Sequence, residues 1–223
     1  MSPSNYYQLV RDTFREKGNP EMAQMQMAYM RNQYEFFGLK MPQWKALTKA
    51  IHQAHGLPTG DDLKTLARLC FDDDHREMHY FALLTVEKAL KKQSATFIEF
   101  LEELILTRSW WDTVDWVNKL VGLHFQRFPE LIKPVTERWM GSGNFWLQRV
   151  CLIFQLNYKE KTDAVLLFSY VRRLSGAKEF FIQKGAGWAL RQYSKTNPDA
   201  VRQFVESTPL APLTRREAMR LIK

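Results

Sequence analysis

Apolar residues recur along this chain with the period of an α-helix, and no stretch alternates in the manner of a half-buried strand. Tyr6, Leu9, Val10 and Phe14 fall at i, i+3, i+4 and i+8, and Phe97, Ile98, Leu101, Leu104 and Ile105 repeat the pattern. This periodicity restricts the chain to an all-α fold, because a face spaced for a helix cannot lie on one side of a pleated sheet. Stop and start signals cut the pattern into about a dozen helices. Gly18, Gly38 and Gly56 read as helix ends, Pro20, Pro42 and Pro129 as first-turn residues, and Asp61, Ser94, Asn144 and Thr214 as N-caps. Thr214 with Glu217 has capping-box spacing, which predicts a last helix running toward Lys223. Helices of about 10 to 18 residues joined by short turns in successive pairs predict a curved α-solenoid of HEAT-like helical repeats rather than a closed bundle. The repeats are too degenerate for a fixed period to be counted.

No Pro/Gly/Ser-rich stretch long enough to be a linker divides the 223 residues, so a single domain covering 1–223 is expected. With 45% hydrophobic residues, 7 Trp and 15 Phe among them, there is ample apolar surface to offset chain entropy, which excludes a disordered chain. The formal charge of +8 is compatible with a polyanionic partner but does not identify one. Cys70 and Cys151 each sit inside an apolar helical segment, which argues against a disulfide framework and for a reducing compartment. The start, MSPSNYYQLVRD, lacks the order of a signal peptide, and VCLIFQL at 150–156 is too short to span a bilayer. A cytoplasmic, membrane-free location is the expectation.

Side chains that fall off the core stripes carry the functional signal. In SWWDTVDWVNKLVGLHF, Trp110, Val114, Val117 and Val121 form a core stripe, while Trp111 and Asp115 are i, i+4 neighbours on the adjoining face. That pair is either a rim indole beside a surface ion pair or an indole and a carboxylate aimed at one ligand. In KEFFIQKGAGWALRQYSK, Ile182, Ala186, Ala189 and Tyr193 form one stripe and Phe181, Lys184, Trp188 and Arg191 another. Gly185 and Gly187 around Trp188 cost roughly 1 kcal/mol each in helix propensity relative to Ala, which calls for close approach by a ligand or by another helix. Arg149 interrupts an apolar turn between Leu147 and Val150, where it meets either a carboxylate or a phosphate. Arg31, Lys40, Lys45 and Lys49 gather around an early helix start as a phosphate-contacting surface. HREMH at 75–79 lacks the order of a zinc-binding HExxH, and the GAG and GSG runs match no phosphate loop, so neither a metal nor a cofactor is expected.

At SWWDTVD, WLQR and KEFFIQKGAGWALRQYSKTNP the sequence closely resembles the DNA alkylation repair glycosylases of the AlkD type, and the likeness runs from AYMRNQYEFFGLKMPQ through PLTRREA. The resemblance implies excision of cationic N3- or N7-alkylpurines from duplex DNA by a protein that contacts the lesion from the backbone side, and a monomer is the simplest state to expect. By the same resemblance, Trp111 and Trp188 match the family's active-site indoles, Asp115 its catalytic carboxylate and Arg149 its DNA-backbone contact. Tyr29 and Arg191 match further cleft residues; Lys184 is expected to bind DNA because it shares the helical face of Trp188 and Arg191. Lys40 stands where the family pattern has a DNA-contacting glutamine. Two other uses of such a fold stay open on the residues alone: a non-catalytic HEAT-like DNA-binding protein and a protein-interaction scaffold. A carboxylate facing DNA argues against the first, and the basic charge against the second.

Overall fold

The computed structural model describes residues 1–222, and among them the regular structure is helical, with thirteen α-helices and a single isolated β-bridge between Glu35 and His75. The all-α expectation therefore holds. The chain forms two compact units, Met1–Phe100 and Leu101–Lys223. In the first lie α1 (Pro3–Glu16), α2 (Pro20–Tyr29), α3 (Met41–His55), α4 (Gly60–Asp72), α5 (Arg76–Ala89) and the start of α6 (Phe97–Leu106). The second continues with α7 (Trp111–Arg127), α8 (Ile132–Gly141), α9 (Phe145–Ile153), α10 (Ala164–Arg173), α11 (Phe180–Tyr193), α12 (Pro198–Ser207) and α13 (Pro212–Met219).

Local chemistry starts most of these helices. Ser2, Asn19, Asn144, Asp163 and Asn197 each accept a hydrogen bond from the first turn, and prolines open α1, α2, α3, α12 and α13. Four end signals fall elsewhere than expected, the first being Ser94, since α6 begins only at Phe97. Thr59 rather than Asp61 caps α4. The last helix is capped at Ala211, so Thr214 is inside it and donates instead to the Gln183 carbonyl at 3.1 Å; this helix stops at Met219, and Lys223 lies outside the described residues. Gly38 ends no helix. It sits in the loop after α2 with φ +88°, and a Cβ there would come within 1.9 Å of the Asn19 carbonyl oxygen.

That loop is held by α5. The fully buried Glu77 carboxylate accepts from three successive backbone amides, Phe37, Gly38 and Leu39, at 2.9–3.0 Å. Such a carboxylate compensates amides that no helix satisfies. The HREMH motif is thus a structural knot around a loop. In the second unit α9 packs against α7, α8, α10 and α11, and α13 packs on α11. The buried Val114, Val117 and Val121 anchor α7 as expected. Trp110, however, precedes the helix in extended backbone and is half-buried against Phe181 and Trp146 rather than sealed in the core.

Candidate functional site

Three helices of the second unit supply one constellation. Asp115 projects from α7 one turn after Trp111, Arg149 from the middle of α9, and Trp188 from α11. Because the Asn144 side chain caps α9 through the amides of Trp146 and Leu147, the register that turns Arg149 toward α7 and α11 is fixed locally. Arg149 grips Asp115 with two parallel bonds, Nε to Oδ1 and Nη2 to Oδ2, both 2.9 Å. Its Nη1 donates to the Phe181 carbonyl at 2.6 Å. The guanidinium carbon lies 5.9 Å from the centroid of the Phe181 ring and 6.0 Å from that of Trp188. Gly185 makes room for it, since a Cβ there would come within 3.0 Å of Nη1.

Burial is unequal across the pair. The Arg149 side chain is 5% exposed, whereas Asp115 keeps 21%. The planar fork therefore fixes the carboxylate from behind and leaves part of it open. Burial pushes the Asp115 carboxyl above the usual carboxylate range, the Arg149 fork pulls it back, and the neighbouring Asp112 adds a smaller upward push. Beside this centre, the rings of Phe181, Trp146 and Phe145 pack in succession at a tilt, with the half-exposed Phe180 edge-on to Phe181.

α11 also meets α13. Both carboxylate oxygens of Glu217 are engaged, Oε1 by Lys184 Nζ at 2.9 Å and Oε2 by Arg191 Nη1. Gly187 permits the contact: a Cβ on it would lie 2.6 Å from the Glu217 Cβ.

Of the residues singled out in the sequence, Asp115, Arg149 and Trp188 are thus gathered at one place. Trp111 is half-buried on the same helix as Asp115 and one turn before it. Lys184 and Arg191 stand on the face of α11 that carries Trp188, bound to Glu217. Tyr29 and Lys40 belong to the first unit, where Tyr29 is 71% exposed at the end of α2 and Lys40 is exposed at the start of α3, its amide bonded to Gln43 Oε1 at 2.9 Å. Arg149 faces a carboxylate, the first of the two partners that its position allowed. Sequence reasoning missed Glu217, taken there for a capping-box residue, and the Phe181 carbonyl. The glycine pair 185 and 187 was the available signal, since two neighbouring helices enter at those two positions.

Among the described residues no group of three or more His, Cys, Asp or Glu side chains is gathered to hold a metal ion, and no helix is long and apolar enough to cross a membrane. What the arrangement offers is a fixed, partly open carboxylate beside an indole, able to stabilise positive charge developing on a bound molecule.

A comparison with curated proteins finds no match for this chain. A solved structure from Enterococcus faecalis, described as a predicted DNA alkylation repair enzyme, is similar over 92% of this chain and 96% of its own, with 32% sequence identity and a TM-score of 0.87. The crystal structure of smu.31 from Streptococcus mutans UA159 is similar over 98% of this chain and all of its own, with 14% identity and a TM-score of 0.66, a likeness of fold alone. The family model of the DNA alkylation repair enzymes matches residues 10–222. With nearly the whole chain inside that match, and with a carboxylate, its arginine and an indole drawn together from three helices, this chain belongs to the DNA alkylation repair enzyme family.

Proposed function

We propose that the protein is a DNA glycosylase that hydrolyses the N-glycosidic bond of N3- or N7-alkylated purines in duplex DNA. The observation that carries this reading is the Asp115 carboxylate, locked by the Arg149 fork yet still partly open beside Trp188. A protein that merely holds phosphates gains nothing from a carboxylate so placed, whereas a glycosylase needs one.

An N3- or N7-alkylpurine already carries a positive charge, so it departs with the glycosidic electron pair as a neutral base and needs no general acid. The demand moves to the sugar, which acquires oxocarbenium character as in glycoside hydrolysis. Asp115 opposes that charge and orients a water whose oxygen bonds to C1′ while its proton passes to the carboxylate or to solvent. Arg149 positions the carboxylate; with three of its donor bonds committed inside the protein, its role is to hold Asp115 rather than to grip a phosphate. The indoles of Trp111 and Trp188 attract the cationic nucleoside through their faces, worth roughly 0.5–2 kcal/mol each. Tyr29 and the exposed Lys40 of the first unit contact the duplex backbone, in keeping with the net charge of +8. A monomer acting in the cytoplasm is the simplest state consistent with this chemistry. Incubation with N-methylated duplex DNA, followed by chromatography of the supernatant, tests the reading: free 7-methylguanine or 3-methyladenine is expected, and retention of both in the DNA contradicts it.

A further inference from the structure

Lys184, Trp188 and Arg191 share one face of α11, with the two cations a turn to either side of the indole. On the Gly187 edge of that face α13 rests so closely that a Cβ would also lie 3.0 Å from the Thr214 carbonyl oxygen. This contact puts Glu217 between the cations. Its carboxylate is 12% exposed, against 39% for Lys184 and 23% for Arg191, and each of its oxygens takes one of them. A carboxylate oxygen and a phosphate oxygen seek the same donors. Glu217 therefore occupies, from within the protein, the place where an external anion would sit.

We propose that Glu217 sets the affinity for DNA, an internal anion that neutralises Lys184 and Arg191 and keeps them from DNA phosphates. The inference rests on the DNA-binding part of the function proposed above. Phosphate contacts are the same at every nucleotide and cannot distinguish a lesion from undamaged DNA. Suppressing two of them beside Trp188 lowers the affinity for every duplex alike and leaves the discrimination to the groups that sense the charged base. The bond from Lys184 above all, and the charges of Lys184 and Arg191, hold the Glu217 carboxyl below the usual carboxylate range, so the occupant stays ionised at neutral pH.

Equilibrium titration of undamaged and N-methylated duplexes over a range of salt tests this with three proteins: wild type, Glu217→Gln and the double variant Lys184→Ala/Arg191→Ala. Glu217→Gln is expected to bind undamaged duplex about 5- to 10-fold more tightly and to steepen the salt slope by about 1 to 2, the signature of one or two new phosphate contacts. Methylated duplex should gain by the same factor, so that the preference between the two is unchanged. The double variant should bind within about twofold of wild type, because its cations were already occupied. Unchanged or weaker binding by a folded Glu217→Gln overturns the proposal. So does a loss of about 2 in the slope for the double variant, which would mean that Lys184 and Arg191 already hold phosphates in the wild type, and this second result does not depend on how Glu217→Gln folds. A wild type that binds no duplex at all overturns the functional reading itself, an outcome distinct from the other two.

Discussion

Replacing Arg149 with Met separates the two readings of this residue. The substitution keeps an unbranched apolar stem but removes the two bonds to Asp115 and the one to the Phe181 carbonyl. Taking one partner from a buried ion pair costs about 3–5 kcal/mol, because the other charge is left uncompensated. Asp115 keeps 21% exposure and some hydration, which places the cost near the lower end, about 3 kcal/mol. For a chain of this size that corresponds to a fall in melting temperature of about 6–12 °C. The same loss removes the groups that pull the Asp115 carboxyl down while burial continues to push it up. The acid limb of the excision rate should therefore move to higher pH, and the rate at neutral pH should drop. Arg149→Lys, which restores the charge but not the fork, should lie between wild type and Arg149→Met in both measurements. Thermal melts and single-turnover rates across pH provide the assay. If Arg149→Met instead keeps wild-type melting and an unmoved acid limb while the salt slope of DNA binding falls by about 1, Arg149 is a phosphate ligand and the positioning role is wrong.

Two further outcomes are expected. His52 of α3 is buried, with Nε2 3.0 Å from Thr85 Oγ1, and burial followed by the charge of Lys88 pushes its pKa down to about 4. Folding therefore favours the neutral ring; that stability is complete above about pH 6.5 and is lost as pH falls toward 4, amounting to about 2 kcal/mol between pH 8 and pH 5. Urea melts at the two pH values should show this difference for wild type and a flatter dependence for His52→Leu; equal dependence in both removes His52 as the cause. On the substrate side, duplexes carrying uracil or hypoxanthine should release no base under conditions that free 7-methylguanine, because a neutral leaving group needs the general acid that the mechanism lacks. Efficient uracil release would overturn the reliance on a cationic leaving group.

The helical class was legible because apolar periodicity is a local property, written into stripes such as Val114, Val117 and Val121. Helix ends were legible where a side chain caps its own helix, as Asn144 does. They failed where backbone geometry or a tertiary contact decides, as at Gly38, which serves a loop turn, and Thr214, whose hydroxyl reaches another helix. Within the site, i, i+4 spacing sufficed to place Trp111 one turn before Asp115 on the same helix. The junction of Arg149 with Asp115 spans 34 residues and that of Arg191 with Glu217 spans 26. No helical period predicts partners at such separations. The glycines at 185 and 187 announced a close approach to α11 without naming what approaches, and only the packing of α9 and α13 supplies Arg149 and Glu217.

The most direct test is single-turnover release of 7-methylguanine by wild type, Asp115→Asn and Asp112→Asn, with binding to an uncleavable duplex and thermal melting followed in parallel. Asn keeps the shape of Asp115 but cannot offset oxocarbenium charge, and loss of one preorganised electrostatic partner costs about 2.7–4 kcal/mol of barrier. The rate of Asp115→Asn should fall by about 100- to 1,000-fold with binding nearly intact. Asp112, about 60° around the helix from Asp115 by the 3.6-residue turn, should matter far less. Wild-type release by a folded Asp115→Asn, or loss of activity confined to Asp112→Asn, would contradict the assignment of the catalytic carboxylate.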